Sequence, residues 1–232
     1  RVPRLEVDVE LAVDIRPVNP FDFFVDDRCK EVPFSYPVEF NYDLVPFFKL
    51  DDPAYARGER FAALLAELPT KPTNTVDFIV EANRLVNSKI KYVIREEAGI
   101  WTPEQTLLEG RGSCRDSATV LIAVLRSRGL AARFCSGYLV QLADEGMIPN
   151  QPRGVGRDVI DLHAWAEVFI PGGGWIGLDA TSGLFCGEGH IPLACSPEPS
   201  SAAPITGFSD ECECEFVHHM KVEHWQRLNR TR

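Results

Sequence analysis

Seven cysteines and five histidines supply the most reactive side chains of this 232-residue sequence, and one cysteine stands apart by its setting. In Gly110-Arg111-Gly112-Ser113-Cys114-Arg115-Asp116-Ser117-Ala118 a glycine-bearing loop runs into Ser113, an N-cap residue, and Asp116 three positions on completes a capping-box pattern. Ala118, Leu121, Ile122 and Leu125 recur at helical spacing, and Val120 and Val124 add apolar surface on other faces, so the helix reads as buried on most sides. Gly129 suits its C-terminal cap, and Arg126 and Arg128 suit the negative end of its dipole. Cys114 then sits where unpaired backbone N–H groups and the positive helix terminus stabilise a thiolate, the form that attacks a carbonyl carbon. A buried, inert cysteine is the competing description, and it is the commoner fate of a cysteine taken alone.

A cysteine nucleophile needs a base, and the base needs a third group to fix its tautomer and stabilise its charge. Of the histidines, His163 opens Leu162-His163-Ala164-Trp165-Ala166-Glu167-Val168, His190 lies in a glycine-rich loop, and His218, His219 and His224 sit near the C-terminus. Asp179 lies in Trp175-Ile176-Gly177-Leu178-Asp179-Ala180-Thr181, across a Pro171-Gly172-Gly173-Gly174 turn from the His163 segment. His163 and Asp179 are an even number of residues apart, so they share a sheet face if the turn around Pro171 to Gly173 holds an odd number of residues. They are then cross-strand or diagonal neighbours. Asp158 and Asp161 compete with Asp179 but lie in or beside a loop. Glu167 has the parity of His163 and reads as a member of an ion pair.

Gly-x-Gly-x-Cys-Arg-Asp-x-Ala, His-Ala-Trp-x-Glu and Trp-x-x-x-Asp-x-Thr together resemble the transglutaminase-like superfamily of papain-type cysteine enzymes, its bacterial branch most of all. The resemblance covers roughly residues 75 to 185, and Asn19-Pro20-Phe21-Asp22-Phe23-Phe24 is similar to the same branch. It implies Cys114 as nucleophile, His163 as general base and then acid, and Asp179 as the group orienting His163. Ala180 stands where relatives often have proline, which changes backbone stiffness more than chemistry. Family members carry an extra N-terminal β segment, so this chain is expected to begin inside it.

Acyl transfer also needs fixed donors facing the developing oxyanion. The Cys114 N–H is the first expected donor; Gln105 or Trp101 is a candidate for the second, although Trp101 reads equally as a packed aromatic. Tyr138 and Trp165 are candidate groove walls, with packing as the alternative. Asp116 near a thiolate is expected to turn away or to pair with Arg115 or another arginine. Cys212, Cys214, His218, His219 and His224 form an alternative metal constellation, but Cys-x-Cys in an extended run departs from the Cys-x-x-Cys turns of zinc sites. No metal or other cofactor is expected.

The elements that must position these groups follow from periodicity. The cysteine helix is followed by strands over Ala132 to Gln141 and Leu162 to Ile170, with a Gly, Pro and Asp-rich loop between them; a hairpin then leads into Trp175 to Thr181. Upstream, Arg57 to Leu68 reads as a helix, and a second helix begins after Pro72 and stops near Gly99, with Trp101 to Leu107 as an approach loop. Leu5, Val7, Val9, Leu11, Val13 and Ile15 alternate with mostly acidic residues as a strand, and Cys212 to Trp225 is expected to rejoin it. Residues 16 to 53 read as a proline- and aromatic-rich connection docked on the core.

The expected fold is α+β, a papain/transglutaminase-like core whose nucleophile helix packs on an antiparallel sheet, plus a β extension formed by both chain ends. Three regions follow: a 1–53 N-terminal β and extended segment, a 54–185 catalytic core, and a 186–232 C-terminal loop and strand. With 45% hydrophobic and 25% charged residues and a net charge of −10, the composition argues against nucleic acid or anionic membrane as the main partner. No apolar run approaches the ~20 residues of a membrane helix. An odd cysteine count in a chain this large points to a reducing cytoplasm. The expected activity is thiol-dependent acyl transfer on a protein or peptide, with peptide or isopeptide hydrolysis favoured. Isopeptide formation with an amine, and a non-catalytic binding module on the same fold, are the alternatives.

Overall fold

The computed structural model describes residues 4–143, 157–203, 205, 207, 215 and 217–223. At its centre a five-stranded antiparallel sheet has the order β8 (Leu184–Phe185), β7 (Gly174–Asp179), β6 (Val159–Ile170), β5 (Ala132–Gln141), β9 (His190–Ser196). Ala164, Ala166, Val168 and Ile170 of β6 join Ala132 and Phe134 of β5 and Ile176 and Leu178 of β7 in the main apolar core. Helix α5 (Cys114–Ser127) fills that core with side chains from every side; Ala118 to Leu125 are buried without interruption, as an all-round apolar helix demands. At its C-terminal end the buried Arg126 guanidinium donates to the carbonyls of Ala132, Lys49 and Pro197, fastening the helix to three segments.

The hairpin has the geometry the parity argument requires. Ile170 pairs with Gly174, leaving a three-residue turn at Pro171 to Gly173, and Ala166 pairs with Leu178. His163, Trp165, Glu167, Gly177 and Asp179 therefore share the face opposite the main core. On β5, Gly137 lies directly opposite His163 in the β6 ladder, while its other neighbour is β9. A Cβ at Gly137 would lie 2.0 Å from the Ile191 carbonyl oxygen, so only glycine permits this approach.

Around this core, β1 (Glu31–Val32) pairs antiparallel with β2 (Thr73–Asn74), and α1 (Asn41–Leu44) lies in the aromatic-rich connection. That connection docks as expected: the Tyr36 hydroxyl donates to the Phe169 carbonyl and accepts the Ala131 N–H, with Phe48 and Phe169 against its ring. Helix α2 (Glu59–Glu67) begins under Glu104, whose carboxylate accepts the N–H groups of Gly58, Arg60 and Phe61.

Three expectations about helix ends and loops need correction. Helix α3 (Thr75–Lys89) ends well before Gly99, because Lys91 and Val93 give their N–H groups to Gly110 and Gly112 rather than to a continuing helix. The result is a parallel pair, β3 (Lys91–Tyr92) with β4 (Arg111–Gly112). The approach loop contains α4 (Pro103–Glu109), capped by the Thr102 side chain and closed by Gly110 at φ 63°. The segment after Ser182 is not all loop, since it carries β8 and β9.

The β extension expected from both chain ends is absent among the described residues, where 4–15 and 217–223 have no strand. Val7, Val9, Leu11, Val13 and Ile15 instead line one side of a half-open pocket of about 480 Å³, of mixed polar and apolar lining, against Tyr138, Val140, Ile160 and Leu162, and Val7, Val9, Leu11 and Val13 stay exposed. Alternation makes a segment fit for a ladder but does not supply the partner strand. Cys212, Cys214 and His224 lie outside the described residues.

Candidate active site

Cys114 is the first residue of α5, half-buried, at the end of the β4 loop. Asp116 builds its setting: one carboxylate oxygen accepts both the N–H and the hydroxyl of Ser113, and the other accepts the Trp101 N–H at 2.8 Å. The buried Arg95 guanidinium holds the same carboxylate at 2.8 Å and lies 4.2 Å over the Trp101 ring. Burial alone would raise the Asp116 pKa, yet Arg95, Trp101 and Ser113 hold it below its ordinary value, so its charge is committed to them. The arginine partner is thus Arg95. Arg115 turns instead to the carbonyls of Arg95, Glu97 and Gly99, pinning the loop before Trp101.

His163 comes from β6 and Asp179 from the end of β7, both buried. His163 Nε2 stands 3.2 Å from Asp179 Oδ2, at ion-pair distance though outside the alignment of a strong hydrogen bond. Such contacts often tighten only when substrate binds. Oδ1 of the same carboxylate accepts the N–H of Thr181 at 2.9 Å and its hydroxyl at 2.7 Å, so the Asp-x-Thr pattern fixes the carboxylate and leaves Oδ2 facing His163. The Cys114 thiol lies close enough to the His163 imidazole to act on its protonation. Burial pushes the His163 pKa down, but Asp179 and Cys114 outweigh it and raise it to about 9. Burial pushes Asp179 the other way, and the two imidazoles beside it hold it far below the usual carboxylate range.

The second imidazole is His190, at the start of β9, with Nε2 3.5 Å from Asp179 Oδ2. Sequence reasoning left it in a loop; the signal missed was the β9 strand that brings it across the sheet. The Gly187 N–H donates to His190 Nδ1 at 3.2 Å, which makes Nε2 the protonated nitrogen of the neutral ring and aims an N–H at Asp179. His163, Asp179 and His190 have donor atoms within 4.8 Å of one another, a spacing that suits a metal ion. With Nδ1 already accepting from Gly187, however, His190 offers Asp179 a proton rather than offering a metal a lone pair. A second residue missed is Tyr92. The β3–β4 pairing sets it beside Gly112, and its phenol, its pKa raised by burial, feels the charges of Cys114, Asp161 and Asp179.

The remaining candidates separate. Trp101 is tied by its backbone to the start of α5, as described. Gln105 is exposed on α4, its N–H given to the Thr102 hydroxyl. Trp165 is 1% exposed, so it cannot wall an open groove; its ring lies 6.2 Å from that of His163 and 5.3 Å from that of His190, supporting both. Tyr138 pairs with Leu162 and so faces away from His163, against the expectation that it borders the same cleft. Asp158 accepts the Ala143 N–H and Asp161 is exposed, which leaves Asp179 as the carboxylate against His163. Glu167 shares the His163 face but accepts from Arg133 at 2.6 Å, in the ion pair expected of it.

Residues 62–180 match the model of the transglutaminase-like superfamily. An uncharacterized protein of Mycobacterium tuberculosis is 30% identical over 188 residues, covering 78% of this chain and 54% of that protein. One from Mycobacterium leprae is 30% identical over 130 residues, covering 56% of this chain and 43% of its own. The chain therefore spans about half the length of the curated relatives it matches. Among solved structures, a candidate cysteine protease from Cytophaga hutchinsonii superposes with a TM-score of 0.56 at 26% identity, over 76% of this chain and 53% of that one. Among the described residues no helix is long and apolar enough to cross a membrane.

Proposed function

Because this chain belongs to the transglutaminase-like superfamily, we propose that Cys114, His163 and Asp179 act as a nucleophile, base and orienter in thiol-dependent acyl transfer on amide bonds. The observation that carries this reading is the convergence of a helix-terminal thiol, a buried imidazole and a buried carboxylate 3.2 Å from that imidazole. Asp179 faces Nε2, which leaves Nδ1 to take the Cys114 proton. The resulting thiolate attacks the amide carbon, and the negative oxygen forms near the Cys114 N–H at the positive end of α5. The Trp101 backbone N–H is already given to Asp116, so Trp101 can add a second donor only through its indole, and Gln105 only through its side chain. His163 then protonates the leaving amine, giving a thioester, and removes a proton from the acceptor that discharges it.

Water is the acceptor we favour, making the activity hydrolysis of a peptide or isopeptide bond in a protein or peptide substrate. A reducing cytoplasm suits the chemistry, since it keeps Cys114 a thiol. The test is a screen of glutamine-containing peptides and peptide libraries with and without a primary amine, reading ammonia release, cleavage and amine incorporation separately. Cleavage that disappears in Cys114→Ala supports the reading. Incorporation without competing hydrolysis replaces it with isopeptide formation, and a protein that binds peptides but turns none over replaces it with a binding module.

A further inference from the structure

On the face of the sheet that carries His163, a pair of sulfurs meets. Cys135 of β5 and Cys195 of β9 are direct partners in the antiparallel register, and their sulfur atoms are 3.2 Å apart. Cys135 is fully buried and Cys195 is exposed, so one thiol of the pair is open to solvent and the other waits beneath it. The sequence gives no hint of this, because the two lie on distant segments joined only by the β5–β9 pairing.

We propose that Cys135 and Cys195 form a reversible dithiol–disulfide site that fastens edge strand β9 to β5. The oxidant is a low-molecular-weight disulfide. The Cys195 thiolate attacks one sulfur of it and expels the other as a thiolate, which takes up a proton. The Cys135 thiol then loses its proton to solvent and attacks the Cys195 sulfur of the mixed disulfide, releasing the second small thiol. Two protein thiols are oxidised, one small disulfide is reduced to two thiols, and atoms and electrons balance.

The division of labour follows from the surroundings. The Cys135 thiol, by donating to Cys195, holds the Cys195 pKa below its ordinary value, and Arg133 adds to this against the opposing effects of burial and Glu167. Cys135 is itself pushed up, by that hydrogen bond and by burial. Cys195 is thus the attacking thiolate and Cys135 the resolving thiol. Glu167 Oε2 lies 3.9 Å from the Cys195 sulfur, a spacing that also suits a metal ion. That oxygen is already bound to Arg133 at 2.6 Å, however, and Oε1 takes the Trp165 indole N–H at 3.4 Å. The carboxylate is neutralised and occupied, which favours sulfur–sulfur chemistry over metal ligation. Because β9 also carries His190, the bond would hold in place the strand that brings the second imidazole to Asp179. The proposal stands on the strand register and the sulfur contact and is independent of Cys114 chemistry.

The test incubates the reduced, folded protein in buffers of graded reduced-to-oxidised glutathione ratio, quenches with acid, alkylates and maps the peptides. The expected product is a linked Cys135–Cys195 peptide pair with no glutathione retained on either cysteine, full reversal by dithiothreitol, and a melting temperature raised by roughly 5–10 °C. Cys135→Ser should instead retain one glutathione on Cys195. Wild-type protein that keeps glutathione on Cys195 without the cross-link, or leaves both cysteines alkylatable under excess oxidised glutathione, overturns the proposal. So does zinc released in proportion to the two thiols. The wild-type measurements decide the matter even if Cys135→Ser does not fold.

Discussion

Replacing Asp179 by asparagine keeps the size of the side chain and removes the charge that faces His163. The raising of His163 from 6.5 to about 9 corresponds to about 3–4 kcal/mol in favour of the imidazolium, at about 1.4 kcal/mol per pH unit. Asp179 is the larger of the two favourable influences, with Cys114 second and burial opposing both. Without the carboxylate, burial is opposed only by the thiol, and the His163 midpoint should fall to about 6.5 or lower. At pH 7.5 the imidazolium then drops from nearly all of the population to roughly a tenth, and the alkylation rate of Cys114 should fall by roughly tenfold with it. The direct assay is a histidine-labelled NMR titration of wild type and Asp179→Asn, followed through the imidazole carbon of His163. A midpoint that stays near 9 in the variant would refute the assignment of Asp179 as the partner of His163.

Other substitutions test the scaffold. Asp116→Ala leaves the buried Arg95 guanidinium without its carboxylate and frees the Trp101 and Ser113 donors, so urea unfolding should show a loss of about 3–5 kcal/mol. Gly137→Ala forces a Cβ into the Ile191 carbonyl and should cost about 1–3 kcal/mol in the same assay, with faster amide exchange along β9. The pH dependence of stability has a defined sign. His163 has a raised pKa, so its contribution is complete below about pH 6.5 and is lost as pH climbs through about 9; Asp179 has a lowered pKa, so its contribution is present above about pH 4 and is lost in acid. Melting temperatures of His163→Gln from pH 6 to 10 should show a shallower alkaline decline than those of wild type, and an equal decline would contradict the pairing.

How far the sequence could be read depended on the range of the contact. Helix α5, strand β5 and the β6–β7 hairpin follow from local pattern, and the placement of Asp179 beside His163 needs only a turn of odd length, which Pro171 to Gly173 supplies. Tyr138 failed for a related reason: its face depends on the β5–β6 register, and a long intervening loop leaves that register open. His190 and Cys195 were out of reach because β9 contains Pro192, which an edge strand tolerates but which weakens any pattern for a strand. Tyr92 depends on a two-residue parallel pairing with the cysteine loop, and nothing in the periodicity of α3 foretells it. The alternation of residues 5 to 15 reads as a strand, yet these residues form none, because alternation does not say whether a ladder partner is available. Asp116 was legible as a cap; its arginine lies across a loop, and only the fold identifies it as Arg95.

The central claim is that His163 activates Cys114, and site-resolved alkylation tests it most directly. Limiting iodoacetamide is applied to folded wild type and His163→Ala across pH 6 to 10, and the rate at every mapped cysteine is read by peptide mass spectrometry. The account predicts that Cys114 reacts readily in wild type and slows by tenfold or more at neutral pH in His163→Ala, while Cys29, Cys135 and Cys186 stay slow in both and Cys195 is indifferent to the substitution. A Cys114 that is silent in wild type, or whose rate is the same with and without His163, would contradict it.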